Sequence, residues 1–179
     1  MNKNVVYTAV YGGKDVLKDP LYINEGFDYI CFTDDESIKS DIWEIIHKPP
    51  ISEDPVRSAK IFKVKPHEYL KNYETSIWID ANFLICSDLQ TFISCMGPHA
   101  NILAFSHDQG RNCIYEEAKV VSRDNKDDPN IIESQMSKYR KEEYPVNNGL
   151  TANSILLRRH NEQEVENMMN LWWSEIINF

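Results

Sequence analysis

The sequence predicts an α/β protein in which helices flank a mixed, mostly parallel β-sheet. Short runs of β-branched and aromatic residues alternate along the chain with segments whose apolar residues recur at helical spacing. Such alternation favours layers of helix packed around a largely parallel sheet. The chain has 179 residues, and a chain of this length can bury about 70% of the surface that its unfolded form exposes. We therefore expect a single domain over residues 1–179.

The first half of the chain contains strand signals that end in polar, Gly or Pro residues. β-Branched and aromatic residues dominate each run because they pack well on a pleated surface. Before the last of these strands, apolar residues recur near helical spacing, and Pro66 is expected to kink that helix or to open a new turn. The predicted elements are strands at Val5–Val10, Tyr29–Thr33, Trp43–His47 and Ser76–Ile79 and a helix at Ser58–Leu70.

The second half alternates in the same way. Its polar stretch SRDNKDDPN, at Ser122–Asn130, predicts a long exposed loop. The last helix is expected to bury one apolar face, formed by Val165, Met168, Met169 and Trp172. The predicted elements are helices at Asp88–Met96, Asn130–Lys141 and Glu162–Ile177 and strands at Asn101–Phe105 and Gly149–Leu157.

Composition and charge exclude several classes of protein. The net charge of −9 disfavours a non-specific nucleic-acid or anionic-membrane surface. The sequence shows no apolar run near the ~20 residues that span a bilayer, and its N-terminal run is short for a signal peptide, so a cytoplasmic location is expected. The cysteines lack Cys-x-x-Cys spacing and are expected to be buried free thiols; they are Cys31, Cys86, Cys95 and Cys113.

Asp80-Ala81-Asn82 follows an apolar strand at the place where a sheet of this kind binds ligands, beyond the carboxyl ends of its strands. Two oxygen donors spaced by one residue can reach one hard cation that also takes phosphate oxygens. Such an ion would offset the charge of a leaving diphosphate. The tripeptide also suits an ordinary turn, because Asp and Asn are common turn formers, and taken alone it favours the turn.

Basic residues cluster in the predicted helix before this strand. Arg57 and Lys60 lie three residues apart and so share a helical face, and Lys63 and Lys65 follow. These side chains could bind a phosphate or a nucleotide base edge. A solvated helix face is the equally open alternative.

Two further polar segments are candidates for a site. The imidazole of His107 could bind a metal, and the carboxylate of Asp108 could orient a sugar hydroxyl or act as a base. The amides of Asn147-Asn148-Gly149 could exchange hydrogen bonds with sugar hydroxyls. Each segment also has a structural interpretation, as a surface His–Asp pair and as a plain Asn-Gly turn.

With these motifs in this order along the sequence, the chain resembles the glycosyltransferase-like family of plant mucilage-related and bacterial proteins, formerly a domain of unknown function. The resemblance runs from Tyr7 to Ile176. It implies a single GT-A-like, Rossmann-like domain that binds a nucleoside-diphosphate sugar, with UDP the expected nucleotide, and a divalent ion, Mn²⁺ or Mg²⁺. The matching segments are YTAVYGGKD, ICFTDD, RSAKIFKVKPHEYL, SIWIDANF, AFSHDQGRNCIYEEA, Asn148-Gly149-Leu150, LLRRHN and MNLWWSEI.

The resemblance also implies roles for individual residues. Asp80 and Asn82 stand at the Asp-x-Asp metal motif. Beside this carry-over, we expect His107 or His160 to be a third ligand. The Asn147-Asn148-Gly149 turn resembles the Asn-x-Gly turn with which related retaining transferases hold the donor sugar. The residues expected to bind the nucleotide are Tyr7, Thr8, Ala9, Tyr11, Asp34, Arg57 and Lys60, and those expected to contact the sugar or acceptor are Asp108, Glu116, Glu117 and Asn148.

The expected activity is metal-dependent transfer of a hexose from a nucleoside-diphosphate sugar to a glycan or other hydroxyl acceptor, with retention of anomeric configuration. Two departures from the family limit this expectation: Asn82 replaces an acid, and the sequence ends at Phe179, where relatives continue into a segment containing Arg-Asp-Gln. A form without that segment is expected to bind a nucleotide yet to transfer poorly. The alternatives are a nucleotide-sugar-binding protein without turnover and a metal-dependent hydrolase.

Overall fold

The computed structural model describes residues 3–107 and 110–179, and within them six strands form one mixed sheet flanked by helices. The predicted α/β class is confirmed. The sheet has the order β3-β2-β1-β4-β6-β5. The strands are β1 (Asn4–Val10), β2 (Phe27–Thr33), β3 (Glu44–His47), β4 (Thr75–Ile79), β5 (Ile102–Ser106) and β6 (Thr151–Arg158). The helices are α1 (Pro55–Val64), α2 (Pro66–Tyr69), α3 (Leu89–Ser94), α4 (Ile114–Arg123), α5 (Pro129–Lys141) and α6 (Gln163–Asn178).

The sheet is mostly parallel, as predicted. Strand β1 pairs in parallel with β2 and with β4, and β2 pairs in parallel with β3. Strand β4 pairs with β6 in the antiparallel sense, so Ser76 lies opposite Arg158 and Ile79 opposite Ile155. The carboxyl ends of β1, β2 and β4 therefore share one edge of the sheet, which is where Tyr11, Asp34 and Asp80 follow.

The central strands are buried on both faces. Strand β4 is buried along its whole length, which is why its sequence reads as an apolar run rather than as an alternating pattern. On one face Val6, Ile77 and Leu157 are fully buried in the main apolar cluster. On the other face α1 covers the sheet, and its Phe62 ring stacks on Phe32 with 4.3 Å between ring centroids.

The chain forms two compact units. One runs from the start of the described chain to Leu103 and resumes over Ser154–Ser174, and it contains β1–β4 and α1–α3. The other comprises Ala104–Asn153 and Glu175–Phe179, with α4 and α5. Among the described residues, no helix has the length and apolarity to cross a bilayer. The expectation of a single domain stays a prediction.

The boundary at Pro66 is confirmed. Helix α1 ends at Val64, and Pro66 opens α2 at its first position, where a missing N–H costs nothing. Helix α1 begins earlier than predicted, at Pro55, because the carboxylate of Asp54 caps it by accepting a hydrogen bond of 2.8 Å from the Val56 N–H.

Helix α4 was not predicted, and the predicted loop at Ser122–Asn130 was wrong at both ends. The residue before α4 is Cys113, which makes no side-chain capping hydrogen bond, so the usual start signal is missing. The helix runs on to Arg123, and Asp128 already caps α5 with a bond of 2.7 Å from the Asn130 N–H. Only residues 124–128 lie between the two helices.

Two burial predictions need correction. In α6, Val165 and Met169 are buried as predicted, but Met168 is 45% exposed, so it does not share their face. All four cysteines are free, and Cys31 and Cys113 are buried, but Cys86 and Cys95 are exposed. The apolar stripe of α6 is therefore narrower than its composition indicated.

Candidate functional site at the carboxyl ends of β1 and β4

A pocket of about 240 Å³ opens in the first unit, where β1 and β4 end and α1 begins. It brings together five of the residues to which the family resemblance gave a role, namely Ala9, Tyr11, Lys60, Asp80 and Asn82. Its remaining lining residues are Lys14, Asp15, Pro55, Val56, Ala59, Lys63, Trp78 and Ala81. Three lysines face two aspartates, which leaves one net positive charge in a chain whose total charge is −9.

The turn after β1 depends on Gly12. Its φ of +61° lies in the left-handed region, and a Cβ there would come within 2.6 Å of the Pro55 Cβ, so the turn can approach the start of α1 only without a side chain. The Gly12 N–H also donates to both carboxylate oxygens of Asp34, at 3.2 and 3.3 Å. Asp34 thus holds the turn, and it is not among the residues that line the pocket.

Asp80 takes part in a turn through its backbone and lines the pocket with its side chain. Its backbone carbonyl accepts a hydrogen bond of 2.9 Å from the Phe83 N–H, so Asp80-Ala81-Asn82 is a turn. Its side chain nevertheless faces the pocket, where Oδ1 accepts from the Trp78 indole N–H at 2.6 Å and from the Lys63 ammonium at 3.0 Å.

Lys63 is the residue whose importance the sequence did not reveal beyond its place in a basic cluster. Its side chain is 16% exposed and its ammonium lies 5.4 Å from the centroid of the Trp78 ring. Burial lowers the pKa of Lys63 from its ordinary value, Asp80 opposes that effect, and Arg158 and Lys60 add to it. The available signal was spacing: Lys60 and Lys63 share a helical face, and Trp78 and Asp80 share a strand face.

The residues around Asp80 do not fit a preformed divalent metal site. They offer the carboxylate of Asp80, already paired with Lys63, and the neutral, exposed Asn82, whose backbone carbonyl accepts from Lys18 at 2.5 Å. Sites for Mg²⁺ commonly supply one or two carboxylates beside the substrate's phosphates. Over residues 3–107 and 110–179, no group of three or more His, Cys, Asp or Glu side chains converges as a metal site.

His160 lies at the far end of β4 from Asp80. Strand β6 runs antiparallel to β4 and ends at Arg158, opposite Ser76. That point is about 13 Å along the strand from Asp80, since a strand rises about 3.3 Å per residue. His160 follows it, fully buried, with Nε2 donating to the Leu70 carbonyl at 2.9 Å. The structure does not bring His160 to Asp80.

Of the other residues expected to bind a nucleotide, Tyr7, Thr8 and Arg57 do not line the pocket. The side chains of Tyr7 and Thr8 are buried within the sheet. Burial raises the pKa of Tyr7 to about 12, and its hydroxyl donates to the Lys63 carbonyl at 3.2 Å. The Arg57 Nε lies 3.8 Å from the carboxylate of Asp54.

Arg158 is a second basic residue that sequence reasoning missed. It is fully buried, and its guanidinium donates to the Tyr7 hydroxyl and to the sulfur of Met169. No carboxylate among the described residues contacts it. Burial lowers the pKa of Arg158, and the contact with Tyr7 opposes this shift. The segment LLRRHN gives no sign that its first arginine is enclosed.

The second unit contains a separate charged cluster. The Arg111 Nε donates to the carboxylate of Glu117 in α4, and the Arg111 guanidinium lies 3.4 Å from the His107 Nε2. That same nitrogen is 3.8 Å from the Glu117 carboxylate. Glu116 lies beside Glu117 in the first turn of α4. The prediction for Asp108 falls outside the described residues.

The Asn147-Asn148-Gly149 segment forms the turn that its sequence predicts. Asn147 and Gly149 have φ of +55° and +87°, and the Gly149 N–H donates to the Asn112 carbonyl at 2.9 Å. The side-chain amide of Asn148 donates to the Tyr144 hydroxyl at 3.1 Å. The roles of Asn147 and Asn148 in sugar binding stay predictions.

Comparison with known proteins identifies a family and solved structures that resemble the chain. The family model described as TOD1/MUCI70, glycosyltransferase-like domain, matches residues 1–179. The X-ray structure of the mannosyltransferase Ktr4p from S. cerevisiae resembles this chain with a TM-score of 0.44 and 12% sequence identity, over 97% of this chain and 60% of that one. The chain therefore spans less than two thirds of that protein. No curated protein matches the sequence.

Proposed function

The chain belongs to the TOD1/MUCI70 glycosyltransferase-like family, and we propose that it transfers a hexose from a nucleoside-diphosphate sugar to a hydroxyl of a glycan or other acceptor. The observation that supports this proposal is the pocket at the ends of β1 and β4, which Lys14, Lys60 and Lys63 line together with Asp15 and Asp80. Ligands of parallel α/β sheets bind beyond this edge. A local excess of positive charge in an acidic chain suits an anionic ligand such as a diphosphate.

In the proposed reaction the bond between the anomeric carbon and the diphosphate oxygen breaks, and its electron pair leaves with the diphosphate. The acceptor hydroxyl oxygen forms the new bond to the anomeric carbon, and its proton passes to the departing phosphate oxygen. Negative charge thus develops on the diphosphate in the transition state. Positive groups placed at such a point stabilise the developing charge, and the pocket lysines would supply them.

The walls of the pocket are suited to hold a ligand in one place. Tyr11 is buried, its ring stacks on Phe62 at 5.7 Å between centroids, and its hydroxyl donates to the Lys48 carbonyl at 3.1 Å. The Gly12 turn is held by Asp34. Because these groups are anchored before a ligand arrives, binding would cost little side-chain ordering.

A thermal-shift screen of UDP-, GDP- and ADP-sugars, followed by an assay for release of the nucleoside diphosphate, tests this function. A bound nucleotide sugar stabilises the native state by an amount that grows with the logarithm of its concentration over its Kd. We expect one nucleotide to raise the Tm selectively and to be released faster when hydroxyl acceptors are added. If no nucleotide sugar raises the Tm, the proposal is wrong.

Retention of anomeric configuration is proposed from the family resemblance of the Asn147-Asn148-Gly149 turn. NMR of the first-formed product measures it, because the coupling constant of the anomeric proton differs between the two anomers. An inverted product contradicts retention and leaves the proposed transfer intact.

Binding of a nucleotide sugar without turnover is the second candidate. Asn82 favours it, since this residue is neutral and exposed where the Asp-x-Asp motif has its second acid. Calorimetry that finds binding, together with an assay that finds no release of nucleoside diphosphate even with acceptors present, would select this candidate over the transferase.

A further inference from the structure

We propose that Lys63 is the cation that binds the diphosphate of the donor, and that donor binding therefore needs no divalent metal ion. This inference rests on the proposed function and identifies the group that holds the diphosphate. It replaces the divalent ion expected at Asp80 with a positive charge carried by the chain itself.

The position of Lys63 is the first reason. Its ammonium lines the pocket, lies 3.0 Å from the Asp80 Oδ1 and sits over the Trp78 ring. A divalent ion bound to Asp80 would have to share this carboxylate with an ammonium of like charge. The ammonium thus stands where an ion between Asp80 and a diphosphate would be placed.

The balance of charge around Lys63 is the second reason. Lys60 and Arg158 act on Lys63 as like charges, and Asp80 is the carboxylate that opposes them. The Arg158 guanidinium contacts only neutral groups among the described residues, Tyr7 and Met169. Among the residues that line the pocket itself, three lysines stand against two aspartates, so the pocket is left with positive charge that a diphosphate can neutralise.

The third reason is that the Lys63 ammonium can exchange the Asp80 carboxylate for a phosphate oxygen with little rearrangement. The lysine side chain has a flexible four-carbon stem, so its ammonium can turn from Asp80 towards a phosphate oxygen. Asp80 would not be left unpaired, because the Trp78 indole N–H keeps its hydrogen bond of 2.6 Å to Oδ1. The Trp78 ring is itself held edge-on against Tyr7, at 5.2 Å between centroids. The move therefore disturbs one side chain and leaves the wall of the pocket in place.

Isothermal titration calorimetry of the full chain with UDP, GDP, ADP and inorganic pyrophosphate tests the proposal. Each probe is titrated once in EDTA and once with Mn²⁺. We expect at least one probe to bind in EDTA, with an affinity within about threefold of that measured in Mn²⁺. Binding that appears only in Mn²⁺, or strengthens tenfold or more with it, would overturn the role of Lys63 and leave the proposed transferase standing.

Variants give the second readout. Lys63→Met keeps the length of the side chain and removes its charge, and it is expected to weaken binding in EDTA at least tenfold. Lys63→Arg keeps the charge and is expected to retain most of the affinity. Lys3→Met is the matched control, because Lys3 is exposed and pairs with Glu74 at 2.8 Å outside the pocket. Circular dichroism verifies that each variant is folded. If Lys63→Met does not fold, the affinity of Lys63→Arg still tests the proposal.

Asp80→Asn distinguishes the two kinds of site by the direction of its effect. If Lys63 binds the diphosphate, removing the competing carboxylate leaves the affinity unchanged or raises it severalfold. If a metal ion on Asp80 binds the diphosphate, the same change abolishes binding in Mn²⁺. If none of the four probes binds the wild-type chain in either condition, the proposed function fails together with this inference.

Discussion

Lys63 and Arg158 are two basic residues on the same side of β4 whose surroundings differ. Tyr7 joins them, because its hydroxyl donates to the Lys63 carbonyl and accepts from Arg158. Burial lowers the pKa of both side chains. Lys63, however, faces a pocket and a carboxylate, whereas Arg158 is fully enclosed by neutral groups. A perturbed pKa alone thus does not identify a functional residue here; the opening beside Lys63 does.

The two ends of β4 therefore differ in their access to solvent and ligands. At the carboxyl end Asp80, Lys63 and the Gly12 turn surround an opening where an anion can enter. At the amino end Arg158 and His160 are fully buried. We infer that the carboxyl end serves ligand binding and the amino end serves the fold, and four predictions follow from this division.

The largest effect is expected for Gly12→Ala, at the carboxyl end. The new Cβ would overlap Pro55 at 2.6 Å and the residue would keep a positive φ, so we expect a loss of about 3 kcal/mol in the free energy of unfolding. Gly13→Ala is the matched control: its φ is +63° but nothing lies within 4 Å of its Cβ, so about 1 kcal/mol is expected. Urea denaturation measures both. Equal losses would show that the turn does not press against α1.

The second effect is a pH dependence that arises at the amino end. Burial lowers the pKa of His160 from 6.5 to about 4, so the unfolded chain binds more protons than the folded chain between these values. The free energy of unfolding should therefore fall as the pH falls from 6.5 to 4, by about 2–3 kcal/mol from this residue. His160→Gln should remove that part of the pH dependence while an amide still donates to the Leu70 carbonyl. Identical pH profiles of the two proteins would refute the assignment.

The third effect is smaller and concerns the pair at the pocket. Asp80→Asn removes an ion pair whose side chains are 16% and 34% exposed. Solvent screening limits the stability that such an ion pair contributes. We therefore expect the free energy of unfolding to fall by about 1 kcal/mol, measured by urea denaturation. A loss above about 4 kcal/mol would instead show a buried structural pair of the kind whose disruption is severe, and the functional assignment of Lys63 would lose its basis.

The smallest effect on binding is expected for Arg158→Met. Diphosphate affinity in calorimetry should stay within twofold of the wild type, since Arg158 does not line the pocket. Stability should change by less than about 1 kcal/mol, because an apolar side chain avoids the cost of burying a charge. A tenfold loss of affinity would erase the distinction between the two ends of β4.

The order of the elements could be predicted because it rests on local patterns. The buried strands are continuous apolar runs, and Pro66 marks a helix boundary wherever it stands. Helix α4 was missed because Cys113 is not a capping residue. The position of Asp80 at the end of β4 could be predicted from the apolar strand that precedes it. The turn at Asp80-Ala81-Asn82 could also be predicted, because Asp and Asn are common turn formers.

The contacts of the site could not be predicted, because they depend on tertiary packing. Lys63 and Asp80 are 17 residues apart and meet only because α1 packs on the face of the sheet to which Trp78 points. The burial of Arg158 likewise requires the partners Tyr7 and Met169 from β1 and α6. His160 was a plausible ligand in the sequence, yet the antiparallel direction of β6 carries it away from Asp80.

Backbone amide chemical-shift changes on titration with UDP in EDTA test the central claim most directly. If the carboxyl ends of β1 and β4 form the donor site, the largest changes will occur at Gly12, Lys60, Lys63 and Asp80, and Arg158 and His160 will shift little. The largest changes at Arg158 and His160, or at His107 and Glu117 in the second unit, would contradict the account.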